Sequence, residues 1–318
     1  MLIDCVSFLD PFVYHGGGEM VTHRLIEIGR HRGHNISITS VRPSRKSLHS
    51  KPDITLLIDL FNHGHTFQSL GAWRSFGEKY LERVMARAPF VHLTTAYADV
   101  CNLPYLPCSG EACGVCPEKP LALRRKLLLR DFGNACFAAQ PLVRRLFEAA
   151  ALNVFQSPLH KAVTERVLGK GLSNSFILKP TIDTKLFKNH HMPRDIDYLF
   201  AGVLCEAKGF NELRERFGHT DIQLIGRVSP GTRVDFGRHI DFVPYSELAV
   251  WMNRAKNFVF LPRWPETQGR VVVEAALCGC KIIGNDHIGA LSFAFDISDP
   301  LQYGDAEGSF WAAVEALI

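Results

Sequence analysis

The chain has 318 residues, 47% of them hydrophobic and 21% charged, with a formal net charge of +4. That length carries a prior of about two domains, the balance is that of an ordinary soluble globular protein, and so mild a charge excludes the concentrated basic stripe of a nucleic-acid binder. The N-terminal stretch MLIDCVSFLDPF has an acid at Asp4 and no basic region, so no secretory signal is expected; no apolar run reaches the ~18 residues of a membrane span; and nine cysteines, an odd number, suit a reducing compartment, so the chain is expected in the cytoplasm.

An apolar strand is expected at residues 2–8, then the glycine run Gly16-Gly17-Gly18 with Glu19, and an amphipathic helix to about residue 32. Strands follow at 36–40 and 54–60, a helix at about 70–88 and a strand at 90–95. After a cysteine-bearing loop, residues 121–151 read as helical with a break near Gly133, followed by strands at 153–157 and 175–179 around a helix at 159–168. This alternation of strand and helix describes a doubly wound parallel sheet. It restarts after Lys179, with strands at 198–202, 222–226 and 240–243 and helices at 209–217 and 246–255. We therefore expect an N-terminal domain over residues 1–180 and a C-terminal one over 181–318, both Rossmann-like.

Residues 257–285, NFVFLPRWPETQGRVVVEAALCGCKIIGN, carry the most information. A strand runs into a turn bracketed by Pro262 and Pro265, which presents Glu266 and Gly269. A helix with Glu274 and a second strand at 281–284 follow. The helix start lies at the carboxyl end of a parallel strand, where such sheets bind ligands. Its unpaired N–H groups and positive dipole end suit a pyrophosphate, and the two carboxylates suit sugar hydroxyls. Amides for phosphate and carboxylates for a polyol together describe a site for a nucleotide sugar.

Pro262, Pro265, Glu266, Gly269, Glu274, Ala275, Ala276 and Gly279 resemble the double-Glu motif P-S-x-x-E-G-F-G-x-x-x-x-E-A-x-A-x-G of the retaining GT-B glycosyltransferases, family 4-like (glycosyl transferases group 1). The segment from Gly202 to Gly209, with Lys208, is similar to the family's G-R-L-x-x-x-K-G, and residues 179–187 resemble its interdomain segment. The resemblance implies a GT-B fold of two Rossmann-like domains facing a cleft, and a hexosyl-transferring enzyme of carbohydrate biosynthesis. It assigns the donor sugar to Glu266, the ribose to Glu274 and the diphosphate to Lys208, with Glu266 and Lys208 catalytic. Gly202, Gly269, Arg270, Gly17 and Gly18 would complete the donor site. The acceptor would be a glycan, a lipid-linked saccharide or a small molecule.

The chain departs from the family in three places. Val203 stands where a second cation is usual, with Arg263 and Arg270 as nearby replacements. Thr95 and Ala96 stand where a His-Asp pair is usual; His15, His92 and Asp99 lie close in sequence. The long closing helix that packs across the first domain is reduced to residues 308–318, so that brace is expected to be absent or cut short. Asp195-Ile196-Asp197 mimics a metal-binding D-x-D but precedes its strand, so no catalytic metal is implied.

Cys101, Cys108, Cys113 and Cys116 can close a structural zinc site; free thiols explain them as well as zinc does, and disulfides are the remaining alternative. Arg124, Arg125, Lys126 and Arg130, then Arg144 and Arg145, mark an amphipathic region that suits either solvent or peripheral contact with an anionic membrane. Two other functions stay open: a sugar-nucleotide epimerase or hydrolase on the same fold, and a nucleotide-sugar-binding protein with a weakened catalytic side.

Overall fold

Strand β1 (Leu2–Leu9) is buried along both faces, as an interior strand of a parallel sheet must be. The computed structural model of the protein describes residues 1–14, 16–60, 78–101, 138 and 141–318. Around β1 lie β2 (Asn35–Arg42), β3 (Ile54–Ile58), β4 (Phe90–Leu93), β5 (Leu152–Phe155) and β6 (Ser175–Ile177), in the order β2-β1-β3-β4-β5-β6. Every pairing is parallel; Ile3, for example, lies opposite Ile36 on one side and Ile54 on the other. Helix α1 (Gly17–His31) buries Val21, Leu25 and Ile26, the stripe that its periodicity predicts. Helices α2 (Glu78–Met85), α3 (Pro141–Ala149) and α4 (Pro158–Leu168) complete the described helices of this half.

The second sheet contains β7 (Ile196–Ala201), β8 (Ile222–Ile225), β9 (Arg238–Ile240), β10 (Ala255–Val259) and β11 (Lys281–Ile283), in the order β11-β10-β7-β8-β9, again wholly parallel. Its helices are α5 (Phe210–Phe217), α6 (Tyr245–Arg254) and α7 (Arg270–Leu277). Phe200, Phe258, Leu224, Met252 and Val273 form the centre of its core. Strand β9 lies ahead of the expected residues 240–243 because its partner is β8, with Ile240 opposite Ile225. Beyond it Phe242 turns outward and is 64% exposed, while Val243 packs against the core.

Contacts divide the chain into one unit of residues 1–156, 161–178 and 307–318 and another of residues 157–160 and 179–306. The last segment thus groups with the first sheet, whereas the sequence reading assigns it to the second domain. The brace expected to be absent or cut short is present as a ten-residue helix: α8 (Ala306–Glu315) sets Phe310, Trp311 and Val314 into the first core. Trp311 Nε1 donates to the Leu25 carbonyl at 2.9 Å. Gly29 makes room for the indole, since a Cβ there would stand 2.3 Å from Trp311 Cζ2. Arg24–Glu307 at 2.9 Å and Arg32–Glu315 at 2.7 Å flank this contact.

Candidate functional site

In the second sheet, β7 and β10 are neighbours although two strands separate them in sequence. The order reverses between them, and open parallel sheets bind ligands at the carboxyl ends of such a switch point. A single helical turn, Glu206–Lys208, follows β7, and the loop carrying Glu266 follows β10. The sheet therefore brings together Lys208 and Glu266, 58 residues apart, as an ion pair. Both side chains are mostly shielded, at 18% and 12% exposure, but still reach solvent. Lys208 Nζ lies 4.9 Å from the centre of the Trp264 ring and 5.8 Å from that of Phe260, a wall that lowers the local dielectric and strengthens the charge pair.

Glycines let the backbones close in around this pair. Gly202 ends β7 at φ 148°, and a Cβ on Gly226, after β8, would stand 1.9 Å from the Gly202 carbonyl oxygen. Gly209, at φ 82°, meets the Leu261 carbonyl in the same way, its absent Cβ falling 1.8 Å from that oxygen. Gly269, at φ 76°, turns the chain into α7, which starts without a side-chain cap. Beside it the Glu266 N–H donates to the His287 carbonyl at 2.7 Å and the Gly289 N–H to the Glu266 carbonyl at 3.0 Å. The loop that carries Glu266 is thus held by backbone on a second side.

Glu274 takes a different environment from Glu266. It is 3% exposed on α7, and its Oε1 accepts a hydrogen bond from the Tyr245 hydroxyl at 2.6 Å. Arg270 Nη2 lies 3.6 Å from the same oxygen and donates to the Tyr245 hydroxyl at 3.1 Å. Burial pushes the Glu274 carboxyl up, and the Arg270 charge and the Tyr245 hydroxyl pull it partly back. Tyr245 was not singled out by sequence, since a tyrosine opening a helix carries no signal by itself. Of the two replacement cations, Arg270 stands beside Glu274. Arg263 instead pairs with Glu206 at 2.6 Å and Glu212 at 3.1 Å. Asp195 and Asp197 pair with Arg254 and Lys256 at the surface.

In the first unit the switch point lies between β1 and β3. Gly17 and Gly18 are the first residues of α1, and neither has a positive φ. The need at Gly18 is proximity: a Cβ there would stand 2.2 Å from Thr95 Oγ1. Thr95 donates its N–H at 2.7 Å, and its hydroxyl, to Asp59, which follows β3 at a positive φ of 41°. Burial, then the Asp99 charge, push Asp59 up to about 8, against the Thr95 hydrogen bonds; burial also raises Glu19. The sequence reading passed over Asp59, although an ionisable residue ending the apolar run ITLLI is a visible signal.

His92 is wholly buried between Asp99, 2.8 Å from Nε2, and Asn153, 3.3 Å from Nδ1, so neither it nor Asp99 is presented to solvent. His15 lies outside the described residues, as do Cys108, Cys113, Cys116, Arg124, Arg125, Lys126 and Arg130. Cys101 is buried after β4. Among the described residues no group of three or more His, Cys, Asp or Glu is arranged to hold a metal ion, and no helix is long and apolar enough to cross a membrane. Arg145 pairs with Glu82 at 2.7 Å.

No protein-family model matches the chain. No curated protein matches it in sequence. Solved structures do match it in fold. The crystal structure of Anabaena HepE in complex with UDP and glucose superposes with a TM-score of 0.56 at 13% identity, covering 99% of this chain and 95% of that one. Sucrose-phosphate synthase from Thermosynechococcus elongatus gives 0.55 at 16%, covering 99% and 94%. WaaG, a glycosyltransferase involved in lipopolysaccharide biosynthesis, gives 0.53 at 15%, covering 100% and 92%. With its two all-parallel α/β sheets, the chain has the GT-B fold of glycosyltransferases.

Proposed function

We propose that the chain is a retaining glycosyltransferase that moves a hexose from a nucleoside-diphosphate sugar to the hydroxyl of a glycan, a lipid-linked saccharide or a small molecule. The observation that carries this reading is the Lys208–Glu266 pair at the switch point of the second sheet. A cation and a carboxylate already in contact match the two halves of a sugar diphosphate. As donor enters, Lys208 turns to the diphosphate and Glu266 to the sugar hydroxyls, with the start of α7 adding backbone N–H groups. Glu274 and Arg270 hold the ribose. The bond from the anomeric carbon to the diphosphate breaks and the bond to the acceptor oxygen forms on the same face, while the acceptor proton passes to the departing phosphate oxygen. The diphosphate charge is met by Lys208 and amides without a catalytic metal. The neighbouring HepE structure, determined with UDP and glucose, supports the donor class. A lipid-linked acceptor would bring this cytoplasmic protein to a membrane surface, with the exposed Arg144 contributing to that contact.

Calorimetric titration of UDP, GDP and ADP into the purified protein tests the binding half, and one of the three is expected to bind. Incubation of the matching nucleotide sugar with candidate acceptors tests the transfer half. Lys208→Ala is expected to lower turnover ~100-fold while changing nucleotide affinity far less, as for loss of a group acting on developing charge. Unchanged turnover in Lys208→Ala, or conversion of donor with no acceptor present, would overturn the reading.

A further inference from the structure

The side chain of Tyr245 stands where a ligand hydroxyl would be expected. It is the first residue of α6, follows Pro244, and is 36% exposed. Its ring rests edge-on against buried Phe187, with centroids 5.1 Å apart. Its hydroxyl lies between the two charged groups of α7, donating to Glu274 at 2.6 Å and accepting from Arg270 Nη2 at 3.1 Å. The arrangement leaves one group over: Arg270 Nε is shielded from solvent and has no hydrogen-bond partner. An orphaned buried donor is costly, and a single phenol oxygen cannot meet both guanidinium edges as well as the carboxylate. Two adjacent hydroxyls, as on a ribose, offer the extra acceptor that Nε lacks and the donor that Glu274 needs.

We propose that Tyr245 is an internal competitor for the nucleotide's ribose: its phenol occupies Glu274 and Arg270 in the free protein and must swing out for the ribose diol to take them. The inference rests on the reading of the second sheet as a nucleotide site. It adds that nucleotide affinity is held down by a residue of the site itself. Release is sterically simple. The ring sits at a helix start and at the surface, so rotation moves it into solvent with loss of the Phe187 contact and no repacking of the core. It also confers selectivity, because a nucleotide without the diol cannot compensate the carboxylate that the phenol leaves behind.

The test is titration of the nucleotide that binds best, together with its 2′,3′-dideoxy analogue, into wild type and Tyr245→Phe. Removing the hydroxyl frees Glu274 and Arg270, so affinity for the ribonucleotide should rise about tenfold, with little change for the dideoxy analogue. Meta-fluorotyrosine at position 245 gives a readout independent of any loss of stability: its fluorine resonance should move toward the solvent position on addition of ribonucleotide and stay in place with the dideoxy form. Affinity unchanged or reduced in Tyr245→Phe, or a resonance that the ribonucleotide does not move, overturns the competitor role while the nucleotide site stands. Failure of every nucleotide to bind either protein overturns both.

Discussion

Burial, with the Asp99 charge beside it, pushes the carboxyl of Asp59 up to about 8. An acid whose folded pKa is raised keeps its proton while the unfolded chain, titrating near ~3.9, has lost it. The resulting stability is fully present below about pH 4 and is lost as the pH rises through about 8. Asp59→Asn keeps the neutral shape and can still accept from the Thr95 N–H. Between about pH 5 and about pH 8 the melting temperature of the wild type should therefore fall by a few °C more than that of the variant, measured by calorimetry in matched buffers. Gly18 guards the same contact, since a methyl there meets Thr95 Oγ1 at 2.2 Å. Sequence singled out Glu266 and Glu274 because both flank one helix start after a strand, which is local information, and Lys208 through its resemblance to a family motif. It did not show that Lys208 touches Glu266 across 58 residues, or that Tyr245 caps Glu274. Those contacts depend on which strands lie side by side, and no local pattern encodes that.

Among the described residues, strands and helices were legible to within a few residues because apolar periodicity follows burial; most of the expected helix over 121–151, and the start of the one at 70–88, lie outside them. The misreadings occurred where a distant partner decided the outcome. Strand β9 takes its residues from its pairing with β8 and not from its own hydrophobicity, which is why Phe242 stays outside. The contact between α8 and α1 was invisible for the same reason: Gly29 reads as a weak point in a helix until Trp311 is seen against it. Trp311→Ala removes a wholly buried indole and should destabilise the first unit by ~3–5 kcal/mol in urea titrations. Gly29→Ala should cost ~1–3 kcal/mol by overpacking. In the Trp311→Ala background the Gly29→Ala penalty should shrink, because the two indole atoms that it strikes are gone and Ile36 Cδ1, the end of a side chain, is left at 2.8 Å.

Each of the two sheets has its own switch point, and each point carries ionisable side chains: Asp59 and Glu19 in the first, Lys208 and Glu266 in the second. Nucleotide at a hundred times its Kd should stabilise the folded second unit by about 2.7 kcal/mol. Differential scanning calorimetry should then show that unit's transition moving upward with ligand concentration. Removal of residues 307–318 should act on the other unit, lowering or abolishing its transition, because Phe310, Trp311 and Val314 leave the first core.

The return of the final helix to the first core also sets an order of events during synthesis. Domains usually complete themselves as they leave the ribosome, amino-terminal part first. Here the residues that finish the first unit emerge after all 128 positions of the stretch 179–306, so the second sheet can be complete while the first still lacks one wall. A nascent chain halted before Trp311 exposes that unfilled apolar surface, a ready target for chaperone capture or proteolysis, and the emergence of residues 307–318 closes it.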